Sequence, residues 1–184
     1  EKRVEDLLAR MTLEEKIAQM QHIHAKHYNN KGSVDLERLR KNTDSLSRGC
    51  MEAFPYSLQQ YVDAVHDIQT EMMENTRLGI PVIPVVEGLH GVVQDGCTIY
   101  PQAIAQGAAF NPDLVEEMGY QIGLETRAIG AWQILSPCLD VARELRWGRV
   151  EETVGEDTYM NSVNGTAYVR GAQRAGAIVT PKHY

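Results

Sequence analysis

The stretch Pro81-Val-Ile-Pro-Val-Val86, followed at once by Glu87-Gly-Leu-His90, decides the fold class of this chain. A short, wholly apolar run rich in β-branched residues is typical of a strand that is buried on both faces of a sheet. Two similar runs follow at residues 133–136 and 177–180, so the three predicted strands begin about 45 to 50 residues apart. Each interval is long enough for one loop and one helix.

Helix signals fill these intervals. Ser57 and Gln60 form a capping box before a helix that we expect over residues 57–72. Asn111-Pro112 is an N-cap followed by proline at the first helical position, and it opens a second helix. Apolar residues at spacings of four predict a third helix over 157–174. The order of elements is therefore that of repeated βα units.

The N-terminal part of the chain also reads as helical. Residues 3–20 carry apolar side chains at helical spacings, and Thr12 with Glu15 forms a second capping box. Residues 24–50 are polar and read as a loop that holds at most a short helix, with a strand expected near Cys50. Repeated βα units give a parallel sheet, either a doubly wound open sheet or a (β/α)8 barrel. No G-x-G-x-x-G follows a strand, which weakens the dinucleotide-binding form of the open sheet.

The composition excludes several classes of protein. The chain has 184 residues with 25 acidic and 18 basic side chains, and its net charge of −7 offers no basic face for nucleic acid. The longest near-apolar run, residues 79–86, is far too short to span a membrane. Residues 1–10 are mostly charged and lack the pattern of a signal peptide. The length suggests a single domain.

The cysteines and histidines do not have the spacing of a metal site. The histidines at positions 22, 24 and 27 lie beside a lysine and are interpreted as surface residues. The three cysteines contain no C-x-x-C pair and are interpreted as buried or incidental free thiols: Cys50, Cys97 and Cys138.

Ionisable residues follow each of the three predicted strands. Glu87 follows the first, Asp140 and Arg143 follow the second, and Lys182-His183 follows the third. In parallel α/β folds, functional groups gather at the carboxyl ends of the strands. The sequence therefore predicts one shared pocket at this edge of the sheet.

The long loop over residues 139–157 is the largest of these segments. It combines arginines with several carboxylates, and we expect it to be ordered by ion pairs of Arg143 with Glu151 and Glu152. Arginine provides planar, multi-pronged hydrogen bonding to hydroxyls or carboxylates, and carboxylates accept from hydroxyls. This loop indicates recognition of a polyol or an anion.

Ten short motifs run almost from end to end of the chain. The most specific combination is Arg146-Trp-Gly-Arg149 followed by Lys182-His183. The other motifs are Arg10-Met-Thr-Leu-Glu-Glu-Lys16, Leu78-Gly-Ile-Pro-Val82, Glu87-Gly-Leu-His-Gly91, Tyr100-Pro-Gln-Ala-Ile104, Phe110-Asn-Pro-Asp-Leu114, Glu125-Thr-Arg127, Asp140-Val-Ala-Arg143 and Gly155-Glu-Asp157. With these motifs the chain resembles the N-terminal part of glycoside hydrolase family 3, the family of β-glucosidases and β-xylosidases.

The resemblance implies a fold and a domain organisation. The chain is expected to be the N-terminal portion of a (β/α)8 TIM-type barrel, with about four parallel strands and intervening helices, incomplete in this chain. Residues 1–184 would form this partial domain, with a helical segment at about residues 1–22 before the barrel. A complete barrel of this kind takes about 250 residues.

The resemblance also implies an activity, a retaining glycoside hydrolase that removes a terminal, non-reducing β-D-glucosyl residue from oligosaccharides or glycosides. Glu87, Arg149, Lys182 and His183 match the residues that bind this sugar. We expect His90, Arg143 and Trp147 to support the subsite from behind. The nucleophile and the acid/base are expected beyond Tyr184, so the 184 residues alone should be inactive.

Hydrolysis by paired carboxylates requires no metal and no other cofactor, so none is expected. The family resemblance suggests a periplasmic or secreted protein, and the oligomeric state is not indicated.

Two alternatives remain for the function. Family members carry Asp or Glu at the position of Glu87, and the longer side chain could crowd a hydroxymethyl arm, which favours a β-xylosidase weakly. A non-catalytic carbohydrate-binding module is the alternative from a different class. A phosphate-handling enzyme would need a glycine-rich loop before a helix, and the sequence has none.

Overall fold

The computed structural model describes residues 1–52 and 57–183. Tyr184, beyond which the nucleophile and the acid/base are expected, therefore lies outside the described residues. The chain divides into two compact units, Glu1–Pro84 and Val85–Tyr184, and the boundary falls within a single strand, Ile83–Val86.

The first unit begins with two helices and contains a third and a fourth. The capping boxes predicted at Thr12 and Ser57 are both present, and each satisfies backbone N–H groups at a helix start. The elements of this unit are α1 (Lys2–Arg10), α2 (Leu13–Gln19), β1 (His22–Ile23), a 3-10 turn (Ala25–His27), β2 (Asn29–Asn30), β3 (Ser33–Val34), α3 (Leu36–Thr43), β4 (Cys50–Glu52), α4 (Leu58–Glu74) and the start of β5 (Ile83–Val86).

Parallel pairing of β1 with β4 organises the first unit. His22 lies opposite Cys50 and Ile23 lies opposite Met51, while β2 and β3 form a separate antiparallel pair. The Ile83 N–H donates to the Gly49 carbonyl over 2.9 Å. The strand near Cys50 was predicted, but β1 was not, because two residues are too few to leave a period in the sequence.

The second unit carries three parallel strands and two long helices. Its elements are the end of β5, α5 (Ala103–Ala108), α6 (Pro112–Ala128), β6 (Gln133–Ile134), a 3-10 turn (Val150–Glu152), α7 (Thr158–Arg174) and β7 (Ile178–Val179). β6 lies between β5 and β7: Val86 pairs with Ile134, and Ile134 pairs with Val179. The predicted strands and long helices of this unit are confirmed, and α5 is an addition that the sequence pattern did not reveal.

The two long helices of the second unit pack with their backbones close together. A Cβ atom at Gly171 in α7 would lie only 2.0 Å from the Glu116 carbonyl oxygen of α6. Only glycine permits this approach, and the two helices also contact the strands, α6 at β6 and α7 at β7. Val85 and Val86 of β5 are buried as predicted, but Ile83 is 39% exposed, so the strand is not buried along its whole length.

The loop that follows β6 is closed at its base, because the Ala142 N–H donates to the Gly155 carbonyl over 3.0 Å. The predicted ion pairs of Arg143 are wrong, since Arg143 is exposed and makes no ion pair within the described residues. Arg149 pairs with Glu152 instead. The described helices include none that combines the length and the apolar character needed to span a membrane.

Candidate functional site

The candidate site lies at the carboxyl ends of the three parallel strands of the second unit. Glu87 follows β5 directly, Asp140 lies in the loop that follows β6, and Lys182 and His183 follow β7. Backbone hydrogen bonds join the last two segments: the Leu139 N–H donates to the Lys182 carbonyl over 2.6 Å, and the Lys182 N–H donates to the Pro137 carbonyl over 2.9 Å. The predicted convergence of strand ends therefore holds for these residues.

Lys182 and Glu87 form an ion pair at the centre of the site. The Lys182 Nζ lies 3.3 and 3.1 Å from the two carboxylate oxygens of Glu87. The Lys182 side chain is only 13% exposed, whereas that of Glu87 is 41% exposed. The ammonium group is thus held in place, while the carboxylate still faces solvent and retains free lone pairs.

Arg149 is held between Glu152 and His183. Its Nε and Nη2 atoms donate to the two oxygens of Glu152 over 2.7 and 2.6 Å, a bidentate pair. These hydrogen bonds raise the pKa of Arg149, and the guanidinium group lowers that of Glu152. The remaining Nη1 lies 3.1 Å from Nε2 of His183.

Asp140 collects three donors on a single carboxylate oxygen. Its Oδ2 accepts from the Cys138 thiol over 2.9 Å, from the His183 backbone N–H over 3.1 Å, and lies 2.8 Å from His183 Nδ1. Burial opposes ionisation of Asp140, but the hydrogen bonds from Cys138 and His183 outweigh it, so the pKa lies below its usual value. Asp140 is therefore an anion that only accepts.

The neighbours of Cys138 keep it a thiol. Burial, together with the hydrogen bond to Asp140, raises the pKa of Cys138 to about 11. Cys138 is 2% exposed, so the interpretation of this cysteine as a buried thiol is confirmed. Its S–H group also has a partner that the sequence spacing did not reveal.

A metal ion is the other species that this cluster could hold. Within the described part of the chain, Cys138, Asp140 and His183 are the one group of at least three such residues whose ligand atoms all lie within 4.8 Å of one another. Binding would require loss of the thiol proton, which the raised pKa opposes, and the guanidinium of Arg149 stands beside His183. The hydrogen-bonded arrangement accounts for all three groups without a cation.

His90, Arg143 and Trp147, which were expected to support the subsite, make hydrogen bonds within their own loops. The His90 Nδ1 lies 3.1 Å from the Tyr100 carbonyl, and the Tyr100 N–H donates back to the His90 carbonyl over 2.7 Å, so His90 closes its own loop. The Trp147 N–H donates to the Glu144 carbonyl over 3.0 Å. Arg143 is exposed, and its backbone N–H donates to the Val141 carbonyl.

Sequence reasoning missed the support that Asp140 and Glu152 give. Asp140 opens the motif Asp140-Val-Ala-Arg143 two residues beyond Cys138. Glu152 lies three residues beyond Arg149, which is helical spacing. That spacing was a usable signal for the pair of Arg149 with Glu152. Nothing in the sequence pairs Asp140 with His183, because 43 residues separate them.

The cluster presents both kinds of hydrogen-bonding group. Lys182 and Arg149 can only donate, Glu87 can only accept, and a neutral His183 does one at each ring nitrogen. A ring of hydroxyl groups requires such a mixture, because each hydroxyl donates one hydrogen bond and accepts others. The geometry therefore fits a polyol.

Comparison with known proteins gives consistent matches. Residues 12–184 match the glycosyl hydrolase family 3 N terminal domain. A beta-xylosidase of Formosa agariphila is 38% identical over 136 residues, covering 66% of this chain and 19% of that protein. A periplasmic beta-glucosidase of Salmonella typhimurium is 28% identical over 187 residues, covering 98% of this chain and 23% of that protein.

Solved structures give the same result. A b-glucosidase from Erythrobacter marinus superposes with a TM-score of 0.88 at 31% identity, covering 99% of this chain and 25% of that chain. The chain thus spans about a quarter or less of the relatives it matches. Together with the parallel strands, this similarity identifies the fold as the N-terminal portion of a TIM-type barrel, and the doubly wound alternative is set aside.

Proposed function

We propose, since the chain belongs to glycosyl hydrolase family 3, that the protein carrying it is a retaining, exo-acting β-glycosidase. Residues 1–184 would be the partial barrel domain that contributes the subsite for the terminal, non-reducing sugar, after a helical segment at about residues 1–22. A β-D-glucoside is the first candidate substrate and a β-D-xyloside the second. The names of relatives from both groups, a beta-glucosidase and a beta-xylosidase, support this choice of sugars.

One observation carries the proposal: Glu87 is held by Lys182 yet remains 41% exposed. A carboxylate with this exposure still has lone pairs for sugar hydroxyls. Two charged donors accompany it: Lys182 Nζ lies beside Glu87, and Arg149 Nη1 lies beside His183. Hydrogen bonds to charged groups are about twice as strong as neutral ones, so a few of them can orient one sugar ring.

The residues of this chain are proposed to bind the sugar but not to cleave the glycosidic bond. In a retaining glycosidase a nucleophile and an acid/base lie about 5 to 5.5 Å apart. No carboxylate of this chain is assigned either role, and Glu87, Arg149, Lys182 and His183 bind and orient the sugar. The chain alone is expected to hydrolyse nothing.

The test is hydrolysis of aryl β-D-glucoside and β-D-xyloside by the full-length protein that carries this chain. Glu87→Gln keeps the shape but removes the charge, and we expect kcat/KM to fall about 10- to 150-fold, as for loss of a hydrogen bond to a charged group. Glu144→Gln is the matched control, because the Glu144 side chain is 56% exposed and pairs with the exposed Arg146. No turnover of either substrate by the wild-type protein would overturn the proposal, and sugar binding without turnover would support the carbohydrate-binding module instead.

The choice between the two sugars has its own test. Glu87→Asp shortens the side chain by one methylene, a change that alters discrimination by about 10- to 200-fold at most. If Glu87 contacts the part of the sugar that differs, the ratio of glucosidase to xylosidase kcat/KM should rise in this variant. An unchanged ratio would remove Glu87 from sugar choice while leaving it in sugar binding.

A further inference from the structure

We propose that Asp140 is a positioning residue that fixes the tautomer of His183, so that Nε2 of His183 accepts from Arg149 and holds that guanidinium group at the edge of the sugar subsite. Cys138 supports this role by donating to the same oxygen of Asp140. The inference rests on the proposed function, because it specifies how one group of that subsite is prepared for sugar hydroxyls.

The first argument is that Asp140 contacts both the backbone and the ring of His183. Its Oδ2 accepts from the His183 backbone N–H over 3.1 Å and contacts the ring Nδ1 over 2.8 Å. An ionised carboxylate has no proton to donate, so His183 must carry its proton on Nδ1. A hydrogen bond at one ring nitrogen decides the state of the other, and Nε2 is therefore the unprotonated nitrogen in neutral His183.

The second argument comes independently from the opposite side of the ring. Nε2 lies 3.1 Å from Nη1 of Arg149, and a guanidinium group can only donate. Arg149 cannot turn away easily, because its Nε and Nη2 are both engaged by Glu152. The two neighbours of the ring thus require the same tautomer.

The third argument is the role of the thiol. Cys138 is almost fully buried and donates to Asp140 over 2.9 Å. With this bond, the hydrogen bonds that link Cys138, Asp140, His183, Arg149 and Glu152 all have a fixed direction. Cys138 and His183 donate to Asp140, and Arg149 donates to His183 and to Glu152. Reversing the bond between Arg149 and His183 would place two donors face to face.

The tautomer matters for sugar recognition because it holds Arg149, a donor of the proposed subsite. An unprotonated Nε2 accepts one N–H of Nη1 over 3.1 Å, which leaves the other N–H of that atom for a sugar hydroxyl. The opposite tautomer would direct an N–H at the guanidinium group and displace Arg149.

The central test is Asp140→Asn in the full-length protein. The amide keeps the shape of the carboxylate but can turn its NH2 group toward Nδ1, which favours the wrong tautomer. We expect kcat/KM for the aryl glycoside to fall about 10- to 150-fold, with little change in the midpoint of urea unfolding. Asp95→Asn, at an exposed turn of the same unit, is the matched control and should leave kcat/KM unchanged.

A second readout reports the tautomer directly and does not depend on activity. Nitrogen NMR of histidine-labelled protein distinguishes Nδ1–H from Nε2–H, and the signal of His183 is assigned by its loss in His183→Gln. We expect the Nδ1–H form in the wild-type protein and a shift toward Nε2–H in Asp140→Asn. Cys138→Ser retains a donor and should keep the wild-type signal and kcat/KM within about threefold.

Two outcomes would overturn the inference: an Nε2–H tautomer in the wild-type protein, or an unchanged tautomer and kcat/KM in Asp140→Asn. Stoichiometric binding of Zn²⁺ that is lost in Cys138→Ser would overturn it as well, in favour of a metal site. Failure of the proposed function is distinguished from these outcomes by the wild-type protein. It would then turn over no glycoside, while the nitrogen NMR signal of His183 would still report its tautomer.

Discussion

The two units of this chain each hold a glutamate beside a cation, but they do so in different ways. In the first unit, both oxygens of Glu71 accept from Arg40 over 2.7 and 2.8 Å, and one also accepts from Asn75. Glu71 is only 4% exposed. In the second unit, Glu87 meets a single ammonium group and stays 41% exposed.

Glu71 and Glu87 thus differ both in exposure and in the number of hydrogen bonds they accept. A buried carboxylate that already accepts three hydrogen bonds within the protein has little capacity left for a ligand and mainly stabilises the fold. A carboxylate that is oriented by one partner, with lone pairs left over, can still bind a ligand. Glu15 repeats the first pattern, since its oxygens accept from Arg77 Nε over 2.8 Å and from the Thr12 backbone N–H over 2.8 Å.

The sharpest way to break this comparison is to remove one cation from each unit. Lys182→Met should lower kcat/KM of the full-length protein about 100-fold, because it removes a charged donor and frees Glu87 from its partner. Arg40→Met should instead lower the free energy of unfolding by about 3 kcal/mol, because it leaves the buried Glu71 without its cation. Urea unfolding and glycoside kinetics are measured on both variants. Equal losses of activity would contradict the division between the units.

A smaller effect should appear in the pH dependence of stability. The hydrogen bonds from Arg40 lower the pKa of Glu71 below its ordinary 4.5, against the opposing effect of burial. A carboxyl group with a lowered pKa in the folded state contributes stability above its ordinary pKa, and that contribution is lost as the pH falls through the folded value.

Glu71→Gln should therefore lower the free energy of unfolding by about 2 kcal/mol near pH 7 and by much less near pH 3. Glu74→Gln, three residues further along the same helix and exposed, is the control and should change little at either pH. The midpoints of urea unfolding of both variants and of the wild-type protein are compared at the two pH values. A pH-independent difference would mean that Glu71 acts through packing alone.

The smallest effect concerns the thiols of the two units. Burial together with Asp140 raises the pKa of Cys138 to about 11, whereas burial alone raises the pKa of Cys50, which is only partly buried in the first unit. Because the thiolate is the reactive species, iodoacetamide should alkylate Cys138 about tenfold or more slowly than Cys50 in the folded protein. Mass spectrometry after timed alkylation measures both rates. In denaturant the two should react alike, and equal rates in the folded protein would contradict the burial of Cys138.

Much of the fold could be predicted from local signals. Thr12 with Glu15 and Ser57 with Gln60 start helices where the capping boxes place them, because these contacts lie within one helical turn. The apolar run that ends at Val86 gives a strand for the same kind of reason. β1 and α5 were not predicted, since two and six residues give too few positions to show a period.

The candidate site could be predicted only in part. Parallel strands bring their carboxyl ends to one edge, so the approach of Glu87 to Lys182 follows from strand order across 95 residues. The expected partner of Arg143 was wrong, because charge counts in a loop do not say which arginine turns toward Glu152. Backbone geometry decides that, and it selects Arg149.

By itself the sequence determined the βα order, the helix starts and which residue types stand at the strand ends, because those depend on period and local hydrogen bonding. Only the tertiary structure decided that Asp140 faces His183, that Cys138 donates to it and that Glu152 restrains Arg149. These contacts depend on where two loops meet after the strands have paired. The physical reason is distance: in the folded chain a few ångströms join groups that the sequence holds tens of residues apart.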